Sequence, residues 1–84
     1  MSNNSEQIID ICLDVIEMER HEIGLDDEFR TFSQIDSLKA LDLMTALERH
    51  FKIKLPEREL REFVSLNKVV AVVERYLAPI AQPA

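Results

Sequence analysis

Apolar side chains recur every three to four residues in three separate stretches of this chain. That spacing places them on one face of an α-helix, with polar and charged side chains on the opposite face. Strict alternation of apolar and polar residues between turn clusters, the pattern of a half-buried strand, does not occur, and the chain has a single glycine. The pattern therefore predicts an all-α fold.

The first stretch predicts a helix over about residues 4–20, and an irregular segment after it. The apolar positions of the helix are Ile8, Ile9, Cys12, Leu13, Val15 and Ile16. Gly24 supplies a stop signal, and Leu25-Asp26-Asp27-Glu28 has the composition of an acidic loop. Because Phe29, Phe32 and Ile35 are spaced along the next segment, we expect them to tie it to the core.

The second stretch predicts the best-defined helix of the chain. It should begin at Asp36 or Ser37, since both residue types are common at helix N-termini, and continue through Phe51. Pro56 can then open a short helix over Glu57 to Phe63, because proline is tolerated in the first turn of a helix.

The third stretch predicts a last helix that Ser65 caps. Its apolar face consists of Leu66, Val69, Val70, Val73, Tyr76 and Leu77. Pro79 makes continuation of this helix unfavourable. The expected architecture is one domain over residues 1–84, a four-helix bundle with three main helices and a short helix between the second and the last. Residues 1–5 and 79–84 are expected to be flexible ends.

The formal net charge of −6 limits the classes of partner. It repels phosphate backbones and anionic lipid heads, so we expect no nucleic acid and no membrane as a partner. The polar start Met1-Ser2-Asn3-Asn4-Ser5 lacks the features of a signal peptide, and no apolar run is long enough to span a bilayer. Cys12, the single cysteine, is expected to be a buried hydrophobe. These features predict a cytoplasmic protein, which we expect to be a monomer.

Two features at the start of the second helix leave alternatives open. Ser37 is either an N-cap or an accessible hydroxyl where a phosphate ester would meet unpaired backbone N–H groups. Leu38 and Leu41 lie beside the core face of this helix, either as part of a wide core or as exposed contacts for a partner. The core face itself consists of Ala40, Leu43, Met44, Leu47 and Phe51.

A series of short motifs stands around Ser37. Gln34-Ile35-Asp36-Ser37-Leu38 is followed by Leu41-Asp42-Leu43, Ala46-Leu47-Glu48, Phe51 and Leu55-Pro56. This series resembles the modification region of acyl carrier proteins, and the resemblance extends over most of the chain. It implies a carrier of the acyl-carrier fold, and not an enzyme. A phosphopantetheinyl transferase that uses coenzyme A and magnesium would esterify Ser37 with 4′-phosphopantetheine, whose thiol would carry acyl groups in fatty-acid or polyketide-type biosynthesis.

The resemblance also implies contacts with partner enzymes such as an acyltransferase or a ketosynthase. Asp36 would lie beside the metal and the basic surface of the transferase, and Leu38 would enter an apolar pocket of the partner. Asp42 and Glu48 match acidic positions that meet basic patches on partners, and Leu41 is a further candidate contact.

A long acyl cargo would need shelter, since each exposed methylene costs about 0.8 kcal/mol in water. A cavity between the helices could provide it. The residues expected to line that cavity are Leu43, Met44, Leu47, Phe63 and Val69. Core packing alone accounts for the same residues.

Some positions depart from the pattern of the family. Ser33-Gln34-Ile35 stands where a glycine often precedes Asp-Ser-Leu, so the turn into the helix is expected to be stiffer or differently shaped. Lys39 replaces a residue that is often acidic in fatty-acid carriers, and Arg49 and His50 replace part of an acidic run. We therefore expect enzymes tuned to ordinary fatty-acid carriers to bind this chain less well, as in a specialised pathway.

Three other functions compete with an acyl carrier. A peptidyl carrier of a nonribosomal pathway uses the same arm on the same fold, and a helical interaction module would carry no arm and use Ser37 only as a cap. A hydrolase built on Ser37 is disfavoured, because no Gly-X-Ser-X-Gly motif surrounds it. Cys12, His21 and His50 lack the paired spacing of metal ligands, so no metal site is expected.

Overall fold

Three α-helices form the framework of the chain in the computed structural model, which describes the backbone of residues 3–81 and the side chains of residues 4–77. They are α1 (Asn3–Ile16), α2 (Ser37–Phe51) and α3 (Leu66–Ala81). Three short 3-10 helices, Arg20–Glu22, Phe29–Thr31 and Glu57–Glu62, lie in the connections. No strand occurs between residues 3 and 81, and the predicted all-α fold is confirmed.

The end of α1 differs from the prediction. The helix ends at Ile16, not near residue 20, because Glu17 takes a left-handed conformation with φ 58°. The N–H of Glu17 donates to the carbonyl of Asp14 (3.3 Å) and the N–H of Met18 to that of Leu13 (3.1 Å), the two bonds of a Schellman motif. Glycine usually takes this position, so the stop was not visible in the sequence. Gly24 instead lies in the next loop, where its N–H donates to Asp27 Oδ2 (2.8 Å).

The long connection between α1 and α2 is tied to the start of α3. The N–H of Phe29 donates to the carbonyl of Val64 (2.8 Å), and the N–H of Asn67 donates to that of Leu25 (3.0 Å). Phe29 and Ile35 are buried, and Phe32 packs half-buried against the core. The predicted anchoring of this segment is therefore confirmed, although the 3-10 turns within it were not predicted.

The predicted bounds of α2 are confirmed. Asp36 is its N-cap, and at its other end Lys52 takes a left-handed conformation with φ 55°. The N–H of Ile53 then donates to the carbonyl of Glu48 (3.1 Å), which closes the last turn. Both ends of the helix are thus fixed by local hydrogen bonds.

The last part of the chain follows the prediction except near Pro79. The short helix ends at Glu62 and is of 3-10 type, and the Oγ of Ser65 accepts from the N–H of Lys68 (3.2 Å), which confirms the cap of α3. The helix α3 continues through Pro79 to Ala81, so the predicted stop is wrong. The proline lies in the last turn, where it removes a backbone hydrogen bond only near the end of the helix. Of the expected flexible ends, residues 1, 2 and 82–84 lie outside the described part, and the flexibility of the others stays a prediction.

The core lies where α1 packs against α2 and α3. The short helix Glu57–Glu62 packs against α2 and α3. The largest fully buried side chains are Ile8, Ile9, Ile16, Leu43, Leu47, Leu66, Val69, Val72, Val73 and Cys12. Across residues 3–81, no helix is both long enough and apolar enough to cross a membrane.

Cys12 is completely buried in this core, as predicted. Burial raises the pKa of its thiol from 9.0 to about 12, because the thiolate would lose its hydration. The thiol therefore stays protonated at neutral pH, and since the thiolate is the nucleophilic form, Cys12 is unreactive in the folded protein.

We expect iodoacetamide at about pH 8 to alkylate Cys12 in the unfolded chain but not in the folded chain. The buried neutral thiol stabilises the fold fully below pH 9.0, and this contribution is lost as the pH rises towards about 12. The difference in unfolding free energy between the wild type and Cys12→Ala should accordingly shrink above pH 9.0. Intact mass spectra and denaturant titrations measure the two effects, and rapid alkylation of the folded protein would contradict the assigned burial.

Candidate functional site

Ser37 is the first residue of α2, and its side chain is exposed. The helix is capped by Asp36, whose Oδ1 accepts from the N–H of Lys39 (3.0 Å) and whose carbonyl accepts from the N–H of Ala40 (3.0 Å). The capping role considered for Ser37 therefore belongs to Asp36. Among the described residues, none forms a hydrogen bond with the Ser37 hydroxyl, so this hydroxyl is available for chemistry.

The start of α2 favours a negative group on Ser37. The first backbone N–H groups of a helix have no intrahelical acceptor, and the helix dipole adds a partial positive charge there. The Asp36 cap satisfies the N–H of Lys39, whereas those of Ser37 and Leu38 have no acceptor within the described part of the chain. A phosphate ester on the Ser37 hydroxyl would lie beside these two donors.

An open groove of about 570 Å³ lies next to Ser37. Its apolar wall consists of Phe29, Ile35, Ala40, Phe63 and Val64, and the polar part of its lining consists of Glu28, Arg30, Asp36 and Ser37. Arg30 and Glu28 form an exposed ion pair, with 2.6 Å between Nε and Oε1. An exposed hydroxyl at a helix N-terminus beside a groove with an apolar wall fits a phosphodiester that is continued by an extended arm, the group that the resemblance implies.

All five residues of the expected acyl cavity belong to the buried core. Phe63 also lines the groove beside Ser37, and the other four do not. Those four residues are Leu43, Met44, Leu47 and Val69. Shelter of a long acyl chain between the helices stays a prediction.

Exposed apolar side chains are found close to the start of α2. Leu38 is 71% exposed and Leu41 is 38% exposed, so Leu38 lies outside the core face and Leu41 at its edge. Val64, 43% exposed, also lines the groove beside Ser37. Sequence reasoning missed Val64 because it lies between two helices, where no periodic pattern indicates which side chains are exposed.

The two acidic residues expected to contact partners differ in environment. Asp42 is exposed, and within the described residues it forms no ion pair. Glu48 is half-buried, and its Oε2 accepts from the N–H of Leu55 (2.7 Å). Glu48 therefore holds the connector after α2 against the helix, a structural role that its acidic character alone did not indicate.

Glu48→Ala should lower the unfolding free energy by about 1–3 kcal/mol, because it leaves the N–H of Leu55 without its charged acceptor. Glu48→Gln keeps an acceptor oxygen and should cost less. Denaturant titration measures both, with Asp42→Ala on the same helix as the matched control expected to change stability little. Equal effects of Glu48→Ala and Asp42→Ala would rule out the structural role.

Comparison with known proteins identifies the family of this chain. Residues 6–73 match the family model described as "Phosphopantetheine attachment site". The chain is 32% identical over 68 residues to "Polyketide-8 synthase acyl carrier protein 1" of Streptomyces avermitilis, and the matched region covers 81% of each chain. It is 32% identical over 77 residues to an "Acyl carrier protein" of Akkermansia muciniphila, which covers 89% of this chain and 96% of that protein.

The fold is also that of a solved carrier protein. The solution NMR structure of a holo acyl carrier protein from Geobacter metallireducens superposes with a TM-score of 0.77, at 20% sequence identity, over 99% of this chain and 95% of that one. At that identity the similarity concerns the fold alone. The family is shown by the family model, which matches most of the chain, and by the 32% identical relative. This chain belongs to the phosphopantetheine attachment family as an acyl carrier protein, which bears 4′-phosphopantetheine and is not itself an enzyme.

Proposed function

We propose that Ser37 is the attachment site of the 4′-phosphopantetheine arm and that the arm carries acyl groups as thioesters between enzymes of fatty-acid or polyketide-type biosynthesis. The observation that carries the proposal is the exposed Ser37 hydroxyl, which the Asp36 cap leaves free at the start of α2. The polyketide and general acyl carrier proteins among its relatives support an acyl cargo.

The residues around Ser37 would each act on one part of the arm. The N–H groups of Ser37 and Leu38 at the start of α2 would hold the phosphodiester. The apolar wall of the groove, with Phe63 and Val64, would lie along the arm beyond the phosphodiester. When it is bound, the arm supplies the thiol that forms the thioester, and the protein supplies the attachment point and the surface that partners recognise.

Tethering explains why a protein without catalytic residues is useful to several enzymes. A cargo held on an arm meets the active site of a docked enzyme at a high effective concentration. Acyl carrier proteins act with phosphopantetheinyl transferases and acyl-processing enzymes, and among the latter we propose an acyltransferase and a ketosynthase as partners. A single carrier domain over residues 1–84 and a location in the cytoplasm are part of the same proposal.

The nature of the cargo is tested on the holo protein. Incubation with malonyl-coenzyme A and an acyltransferase should add a malonyl group to the arm, which intact mass spectrometry detects. Incubation with an adenylating enzyme, ATP and an amino acid should add nothing. Loading by the adenylating enzyme alone would favour the peptidyl carrier and contradict the proposed acyl cargo.

Leu38→Ala should lower kcat/KM for arm addition by about 30-fold, because this exposed side chain beside Ser37 would fill an apolar pocket of the transferase. Thr45→Ala, on the same exposed face of α2 but further from Ser37, is the matched control and should change kcat/KM less than twofold by the same reasoning. Steady-state rates of holo-protein formation measure both, and equal rates for Leu38→Ala and the wild type would exclude the contact.

A further inference from the structure

The charge of this protein is divided unequally along the chain. Residues 1–28 contain nine acidic residues and one basic residue, a net charge of −8. Residues 29–84 contain seven acidic and nine basic residues, a net charge of +2, and the two parts add to the −6 of the whole chain. The acidic character therefore belongs to α1 and the loop after it, and the part that contains Ser37 and α2 is slightly basic.

The exposed face of α2 is continuous with Ser37. Side chains three, four or seven residues apart lie on one side of a helix, and such a row starts at Leu38, one residue after Ser37. The row consists of Leu38, Leu41, Asp42, Thr45, Arg49 and, at the C-cap, Lys52, and all six side chains are exposed. We call this row the outer stripe. It is apolar near Ser37 and basic at its far end.

The charged groups of the outer stripe have no partners within the protein. Arg49 and Lys52 form no ion pair within the part of the chain that the structure describes, and neither does Asp42. Glu48, the other carboxylate of α2, is half-buried and accepts from the N–H of Leu55, so it is not one of the exposed, unpaired charges of the stripe. The stripe thus has two free cations against one free carboxylate, in a protein whose overall charge is negative.

We propose that the acyl-processing enzyme that acts on this carrier docks on the outer stripe through an apolar pocket for Leu38 and through carboxylates that face Arg49 and Lys52. This inference rests on the proposed carrier function and names the chemistry of the partner's surface. Charge complementarity sets the rate of encounter and excludes wrong partners. An enzyme whose docking face is basic would meet repulsion at the far end of the stripe, so this carrier selects against such enzymes.

The test uses the holo protein and the enzyme of the same organism that forms an acyl thioester on it. In about 50 mM salt, Arg49→Glu/Lys52→Glu should raise the KM for the carrier at least about tenfold. The difference should largely disappear in about 500 mM salt, because exposed charges are then screened. Arg49→Gln/Lys52→Gln, which places no new charges at the end of α2, should give a smaller increase in the same direction.

The matched control makes the same change of charge on a surface outside α2. Arg58→Glu/Lys68→Glu changes two exposed cations outside α2 and should leave the KM within about twofold of wild type. A KM that falls or stays constant in Arg49→Glu/Lys52→Glu, while circular dichroism shows a folded protein, would overturn the inference and leave the carrier function intact. Failure of the wild-type holo protein to accept an acyl group from any enzyme of the organism would overturn the proposed function, and the inference with it.

Discussion

Ser37→Ala should abolish attachment of the phosphopantetheine arm while the protein stays folded. In the wild type, incubation with coenzyme A, magnesium and a broad-specificity transferase should add the mass of one phosphopantetheine group. The variant lacks the hydroxyl that would be esterified, so its mass should not change. Its unfolding free energy should stay within about 0.5 kcal/mol of wild type, because Asp36 and not Ser37 caps α2.

Ser33→Ala is the matched control, since Ser33 is an exposed serine only four residues before Ser37. It should gain the arm at the wild-type rate. Addition of the arm to Ser37→Ala would show that the arm is attached to another residue. A large loss of stability in Ser37→Ala would instead indicate that the hydroxyl supports the helix, and the helical module without an arm would then regain support.

Phe29→Ala should lower the unfolding free energy by about 3–5 kcal/mol. The Phe29 side chain is only 4% exposed, and its backbone N–H donates to the carbonyl of Val64, which ties the long connection to the segment before α3. It also forms part of the wall of the groove beside Ser37. Since small domains have total stabilities of about 5–15 kcal/mol, this loss is a large part of the whole. Denaturant titration measures it, and a thermal melt should show a matching decrease in Tm.

Phe32→Ala provides the comparison for this prediction. Phe32 belongs to the same segment but is only half-buried, so the same truncation should cost clearly less. Equal costs at the two positions would show that Phe29 is not the anchor of the segment. If Phe29→Ala proves too unstable to purify, Phe29→Leu, which keeps much of the buried surface, should fold and lose part of the same stability.

Much of the fold could be predicted because the apolar residues follow the period of a helix closely. The stripe of α2 and the cap residues Asp36 and Ser65 gave bounds that the structure confirms. The predicted helix boundaries were wrong where a residue occupies a position that its type rarely occupies. Glu17 ends α1 in a left-handed conformation that glycine normally takes, so no glycine marked the end of the helix. Pro79 usually ends a helix, but here α3 continues through it to Ala81.

The candidate site was only partly visible in the sequence. Motif order indicated Ser37, but it could not show which of Asp36 and Ser37 caps the helix, since both residue types do so. The groove depends on Phe29, Phe63 and Val64, which come from distant parts of the chain and meet only through tertiary packing. Likewise, Glu48 resembled a surface acid until its bond to the N–H of Leu55 assigned it a structural role.

The structure also changes how the net charge is interpreted. The net charge of −6 predicts repulsion of phosphate backbones and anionic lipid heads, but it does not describe the surface that docks on partners. Residues 1–28 carry a net charge of −8 and the rest of the chain +2, and the exposed face of α2 next to Ser37 carries Arg49 and Lys52. Because the face beside the attachment site governs docking, its local charge is a better guide to the partner than the charge of the whole chain.

The most direct test of the carrier function is a mass spectrum of the protein isolated from its own organism. We predict an intact mass increased by one phosphopantetheine arm, in part with an acyl group on its thiol, and fragment ions that place the whole addition on Ser37. Treatment with neutral hydroxylamine should remove the acyl group and leave the arm in place. An unmodified mass, or an addition located on any other residue, would contradict the account.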